Sequence, residues 1–258
     1  MKHISSQDNL FFKALVKLSN SSRQRSKTGQ TLLDGTHLLS AYIATKKTPL
    51  HIVVTAEAYA DSEIKLYLSE LPDVPITQLD AALFSKLSDL KTISGILTMI
   101  SIPEYHIEPQ FGRFCLLLEN IQDPGNLGSI LRSAAAAGCD AVYMSKGCVD
   151  AWSPKVLRAA MGGHFMLSIQ EGADLLEVVR LFPGKTFATV LHGNTNLYDS
   201  QLMDNIAFII GNEGAGLSDG LLSVAQPVTI PMPGKIESLN AAAAATICLF
   251  EAVRQRSQ

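Results

Sequence analysis

Acidic residues are missing between Asn9 and Leu33, although Lys13, Lys17, Arg23, Arg25 and Lys27 all fall there. Cysteine is sparse: Cys115, Cys139, Cys148 and Cys248 lie far apart, with no CxxC pair and no metal-ligand spacing. That scatter argues against a structural metal centre or a disulfide framework, and it fits reduced thiols in or near the core of a cytoplasmic protein. No apolar run approaches the length of a membrane span, and residues 1–10 lack a signal-peptide hydrophobic region. Neither a Walker loop nor GxGxxG occurs, which disfavours a phosphate-cradling nucleotide site. The net charge is only −3, so overall charge announces no nucleic-acid partner and none of the DNA-binding kind is expected.

What the chain has is a large apolar share. Its 258 residues are 47% hydrophobic and 17% charged, enough to bury a substantial core in one large domain or two modest ones. The acid-free basic stretch has two readings: an electrostatic footprint for phosphate, or an ordinary solvated helix face and loop.

Apolar spacing at Leu10, Phe11, Ala14, Leu15 and Leu18 predicts a helix within 5–20, followed by a Ser/Arg/Lys-rich loop over 19–30. Short strands at 31–34, 51–54, 74–77 and 95–100 then alternate with a helix carrying Leu38, Leu39, Tyr42 and Ile43 and helices near 57–70 and 80–87, giving a small α/β domain over 1–102. Residues 103–112, with two prolines, a glycine and no periodicity, read as a linker. From 113 to 258 a second alternation predicts strands near 113–119, 140–144, 165–169, 186–190, 206–210 and 227–230. Most are apolar enough to be buried on both faces, as in a parallel sheet. Helices are expected near 127–138, 153–161, 173–181, 217–223 and 238–255.

Three loops of this second part each follow a buried strand and open a helix. In Glu119–Gly128, Pro124 and Gly125 shape a tight turn, Asn126 can cap a helix or present its amide, and Arg132 follows on the second turn. A guanidinium there suits bidentate capture of phosphate, or else makes a surface salt bridge. In Gly211–Ser218, Gly211, Gly214 and Gly216 permit close backbone approach to a ligand, and Glu213 would tolerate a cation. In 230–245 a Pro-rich turn leads to Ser238 and Asn240 at the mouth of an alanine-rich helix, as either a capped core helix or the wall of a ligand site.

In this order and spacing, DPGNLGSILRSAAAAG, IIGNEGAGLS and IPMPGKIESLNAAAAA resemble the three motifs of the SpoU (TrmH-type) family of RNA ribose 2′-O-methyltransferases, within the SPOUT superfamily. The likeness covers essentially all of 113–258. More loosely, SSRQRSKTGQTLLDGTHLL resembles the substrate-binding domain often fused to this enzyme, with Asp34 where glutamate is more common.

The resemblance implies an α/β catalytic domain with a parallel sheet and a deep trefoil knot, working as a homodimer whose sites are completed by the partner subunit. It implies S-adenosylmethionine held by Leu191, His192, Gly193, Gly211, Asn212, Glu213, Gly214, Ile230, Pro231, Met232, Ser238, Leu239 and Asn240. Asn126, Arg132, Glu213, Ser238 and Asn240 match the motif residues tied to catalysis. Arg132 is expected to engage RNA, from its own or the partner subunit, and to stabilise the developing alkoxide rather than abstract the proton. Arg23, Arg25 and Lys27 are expected on RNA backbone. His37 either contacts RNA or is a partly buried structural histidine. The expected substrate is RNA, ribosomal ahead of transfer RNA. The competing readings are a non-catalytic RNA-binding knot protein and a base-modifying enzyme of the same superfamily.

Overall fold

The computed structural model describes residues 1–88, 93–103, 112–212 and 214–257. Glu213 and residues 104–111 of the expected 103–112 linker lie outside the described residues. The chain divides into two compact units: Met1–Glu104 with Trp152–Phe165, and Tyr105–Ala151 with Met166–Gln258.

Unit one holds a sheet of β1 (Lys2–Ile4), β2 (Gln30–Asp34), β3 (His51–Val54), β4 (Ile76–Leu79) and β5 (Ile96–Ser101), in the order β1-β4-β3-β5-β2. β1, β4 and β3 run parallel, whereas β5 is antiparallel to both β3 and β2. Around it lie α1 (Leu10–Asn20), α2 (Ser22–Thr28), α3 (Thr36–Ile43), α4 (Ala56–Ala60), α5 (Ser62–Ser69) and α6 (Ala81–Phe84).

Two local readings change. The basic stretch expected as a loop is the helix α2, started by Ser21, whose side chain accepts from Gln24 N, and stopped by Gly29 at φ 61°. Both are standard helix-end signals, but a polar helix this short carries no apolar period. The helix expected over 57–70 is broken at Asp61, whose carboxylate accepts from the backbone N–H groups of Glu63 and Ile64 and so starts α5.

Residues 152–165, read from sequence as part of the C-terminal domain, pack with the N-terminal one. The helix Pro154–Ala160 buries Val156, Leu157 and Ala160 and lies against β2. Thr31 Oγ1 donates to Trp152 O at 2.7 Å, and the Tyr42 and Phe165 rings meet edge-on at 5.3 Å. Asp34 is buried and accepts from the hydroxyls of Ser88 and Ser94, both at 2.6 Å. Arg158 Nη1 stands 3.5 Å from the same carboxylate. A buried carboxylate needs such partners, and a segment that supplies one is held to the unit containing it.

Unit two is built on β6 (Phe114–Leu118), β7 (Ala141–Met144), β8 (Ser168–Gln170), β9 (Lys185–Thr189), β10 (Ile206–Ile210) and β11 (Gln226–Val228). They form a parallel sheet in the order β11-β9-β10-β6-β7-β8. The central strands β6 and β10 are buried at every position, as their unbroken apolar runs require when both sheet faces are covered. Its helices are α7 (Pro124–Ala136), then, past the excursion α8 (Pro154–Ala160), α9 (Leu175–Leu181), α10 (Asp219–Val224) and α11 (Ala241–Arg256). α7 packs along α11, whose Ala241, Ala242 and Ala245 are small enough to allow close approach, and Ser133 and Thr246 share a hydrogen bond of 2.8 Å. Among the described residues no helix is long and apolar enough to cross a membrane.

Candidate cofactor and active site

The carboxyl ends of β9 and β10 open into one cavity of about 450 Å³. Its walls come from three separated segments: Thr189–His192 after β9, Ile210–Asn212 and Gly214–Leu217 after β10, and Ile230, Met232, Ser238 and Leu239 before α11. Leu222, Ala241 and Ala244 complete them. The site therefore lies at the carboxyl edge of a parallel sheet, where crossovers leave a crevice.

Local chemistry explains each wall. Gly211 has no alternative, because the backbone carbonyl of Gly216 stands where a Cβ would be. The loop is folded back by Gly216 N donating to Asn212 O at 2.9 Å. Asn212 Oδ1 accepts from the N–H groups of Gly214 and Ala215 at 2.7 and 3.1 Å. Asn240 is the N-cap of α11, its Oδ1 accepting from Ala242 N at 2.9 Å and Ala243 N at 3.3 Å. Its Nδ2 donates to Asn126 Oδ1 at 2.9 Å, joining the entrance of α11 to that of α7. α7 itself starts on Asp123, whose carboxylate accepts from Asn126 N at 2.7 Å, with Pro124 beside it.

Of the residues singled out from sequence, Leu191, His192, Gly211, Asn212, Gly214, Ile230, Met232, Ser238 and Leu239 line this cavity. Gly193, Pro231 and Asn240 are not among the residues lining it but belong to the same segments. Asn126 is brought to Asn240. Arg132 is exposed on α7, with no hydrogen bond or ion pair among the described residues and no place in the cavity wall. Gly216, read from sequence as permitting close backbone approach, lines it too, whereas Thr189, Val190, Ile210, Ala215, Leu217, Leu222 and Ala244 also line the cavity and were not singled out. Their adjacency to the motif loops was the available signal.

In unit one, Arg23 and Lys27 are exposed on α2. Arg25 is not: it is 4% exposed and its Nη1 donates to Leu18 O at 2.6 Å and Ser19 O at 3.1 Å. That guanidinium satisfies carbonyls at the end of α1, so the expected phosphate contact is replaced by a structural one. His37 is exposed in the first turn of α3, against the reading of a partly buried structural histidine. Among the described residues no cluster of His, Cys, Asp or Glu could hold a metal ion.

Residues 113–250 match the model of the SpoU rRNA methylase family. A tRNA/rRNA methyltransferase of Synechocystis is 33% identical, over 98% of this chain and 94% of its own length. The 23S rRNA (guanosine(2553)-2′-O)-methyltransferase of Bacillus subtilis is 30% identical, over 97% of this chain and 98% of its own. Among solved structures, the SpoU methyltransferase AviRb of Streptomyces viridochromogenes, in complex with its cofactor AdoMet, aligns with a TM-score of 0.85. It is 27% identical, over 96% of this chain and 98% of that one. With the matched residues running from β6 into α11, and the cavity walled by their separated loops, the chain belongs to the SpoU rRNA methylase family.

Proposed function

We propose that this protein transfers a methyl group from S-adenosylmethionine to a ribose 2′-hydroxyl of RNA, with ribosomal RNA as the substrate class. The observation that carries the reading is the cavity of about 450 Å³ built from the loops after β9 and β10 and the segment before α11. Its size lies within the range of roughly 300–1,000 Å³ usual for small-molecule sites. Leu191, Ile210, Leu217, Ile230, Met232 and Leu239 give it an apolar wall fit for an adenosyl group, while Thr189 and Ser238 supply hydroxyls. Bound there, S-adenosylmethionine supplies an already activated methyl, so no metal or covalent enzyme intermediate is required.

The chain's own groups then have alignment and charge to manage. A ribose hydroxyl is a weak nucleophile, and negative charge grows on its oxygen as the carbon–oxygen bond forms and the proton leaves. Arg132, exposed and without a hydrogen bond or ion pair among the described residues, is the group we assign to that charge and to the neighbouring phosphate. A guanidinium is always protonated, so it stabilises the alkoxide rather than taking the proton. Asn126 and Asn240 hold the two helix entrances together.

The protein works in the cytoplasm as a homodimer, with Arg132 serving the partner's pocket. Ile236 at 75% exposure in the segment before α11 and Phe250 at 44% on α11 support the dimer, as apolar surface that a second copy would cover. The segment from 229 to 240 forms a trefoil knot by passing through the loop after β9. Thr229 supports this: its N–H and Oγ1 both bond Thr195 O, and Leu197 N donates back to Thr229 O. Unit one offers Arg23 and Lys27 to RNA backbone and His37 as a further RNA contact.

The test is methyl transfer to ribosomal RNA with labelled S-adenosylmethionine, the product mapped by nucleoside mass spectrometry. A 2′-O-methyl nucleoside is expected. A base-methylated one assigns the other chemistry, and no transfer to any RNA removes the enzymatic reading.

A further inference from the structure

The glycine loop that walls the cavity is held at both of its ends by two consecutive residues outside it. At its start, Asn212 Nδ2 donates to the backbone carbonyl of Asn120 at 3.1 Å. At its end, Ser218 N donates to Glu119 Oε2 at 2.8 Å. Glu119 and Asn120 follow directly on β6, the strand beside β10, so the dipeptide faces the loop that β10 emits. We infer that Glu119 is a positioning residue for the cofactor, clamping the loop 212–218 so that its wall keeps the shape of the cavity.

Three observations support a built clamp rather than an incidental contact. Ser218 is the N-cap of α10, yet its own side chain caps nothing, and Glu119 binds the cap residue's N–H instead. α10 and the residue before the cap supply Leu222 and Leu217 to the cavity, so movement of this end moves the wall. Asn120 is itself braced in a left-handed conformation, φ 56°, by Ser145 Oγ accepting from its N–H at 3.0 Å. Gly147 packs so closely that a Cβ there would collide with the Asn120 side-chain oxygen. The charge on Glu119 strengthens its bond, since an ionised acceptor gives the shorter and stronger kind of hydrogen bond.

The inference rests on the cavity being the cofactor pocket, and two readouts separate the two ideas. Glu119→Ala, Glu119→Asp and Glu119→Gln are compared with the unaltered full chain. S-adenosylmethionine affinity is measured by calorimetry, and amide hydrogen exchange is followed over 212–218. A charged hydrogen bond shifts the balance between held and released loop by about a factor of ten or more, and affinity falls with the held fraction. Glu119→Ala is expected to weaken S-adenosylmethionine by about that much, with the KM for RNA unchanged, and to speed exchange at Ser218 but not within β10. Glu119→Gln keeps an accepting oxygen at the same reach and is expected to restore most of the affinity. Glu119→Asp withdraws the carboxylate by one methylene and is expected to behave like Ala, which carries the test if Ala does not fold. Unchanged affinity and exchange in both Ala and Asp overturn the clamp. An unaltered protein that binds no S-adenosylmethionine overturns the pocket, while the exchange data still decide whether Glu119 holds the loop.

Discussion

Asn240 Nδ2 donates to Asn126 Oδ1 across 2.9 Å, joining residues 114 positions apart in the chain. The same Asn240 side chain caps α11 through its oxygen, so one amide does two tasks that substitution can separate. Asn240→Ala removes both and is expected to cost about 1 kcal/mol of stability through the lost cap, together with activity. Asn240→Ser caps a helix well but is too short to reach Asn126. It is expected to melt within a degree or two of the unaltered protein while still losing methyl transfer. Thermal melts beside kcat for the two variants check this, and a fully active Asn240→Ser would leave the bond to Asn126 without a functional role.

Arg132 is the candidate for charge stabilisation, and its exposure makes the experiment clean. No contact that holds the fold is lost on replacement among the described residues, so Arg132→Ala should fold normally and bind S-adenosylmethionine as before. Removing one preorganised donor from a developing oxyanion typically costs about 10²–10³ in kcat. Arg132→Lys keeps the charge but not the planar fork, and is expected between the two. Mixtures of Arg132→Ala with a pocket variant test the proposed dimer and its subunit assignment. Restored activity in the mixture places the arginine across the interface, and none places it in its own subunit's site.

The three motif loops were legible because each couples a buried strand to local turn and cap residues, which sequence displays directly. Pro124, Gly211 and the capping oxygen of Asn240 all act within a few residues of themselves. What escaped the sequence acts at long range or without an apolar period. Glu119 meets Ser218 only because β6 and β10 are neighbours, a fact about strand order and not about either segment. The return of Trp152–Phe165 to unit one depends on Asp34 and Thr31, more than a hundred residues away, being buried where that segment can satisfy them. The burial of Arg25 depends on the carbonyl ends of α1 being left open beside α2, which charge counting cannot see.

Thiol chemistry follows from burial. Desolvation pushes Cys115 and Cys248 up to about 12, with nearby Asp140 adding to the rise at Cys115, and it also raises Cys139 and Cys148. Cys148 is the half-buried one. In native protein at mildly alkaline pH, a thiol reagent should reach Cys148 first and the other three only after denaturation, as counted by mass spectrometry. The raised values also set a sign. In the unfolded chain these thiols lose protons near 9.0, while in the folded one Cys115 and Cys248 hold them to about 12. Across that window the folded state binds more protons, so stability falls as pH rises above about 9. Cys115→Ser and Cys248→Ala variants should show a shallower alkaline decline in melting temperature.

On α2 the three basic residues split into two kinds, and salt dependence tells them apart. Arg23 and Lys27 project from the surface, whereas Arg25 is buried against the carbonyls of Leu18 and Ser19. Each phosphate neutralised contributes about 0.7–0.9 to the slope of log affinity against log salt. Replacing Arg23 and Lys27 together with Ala should therefore flatten that slope by about 1.4–1.8 with little change in melting temperature. Arg25→Ala should do the reverse. It leaves buried carbonyls without their donor at a cost of about 1–3 kcal/mol, lowering the melting temperature while the salt slope of the folded fraction stays put. If Arg25→Ala flattens the slope and the double variant does not, the RNA face of unit one lies elsewhere than on the exposed side of α2.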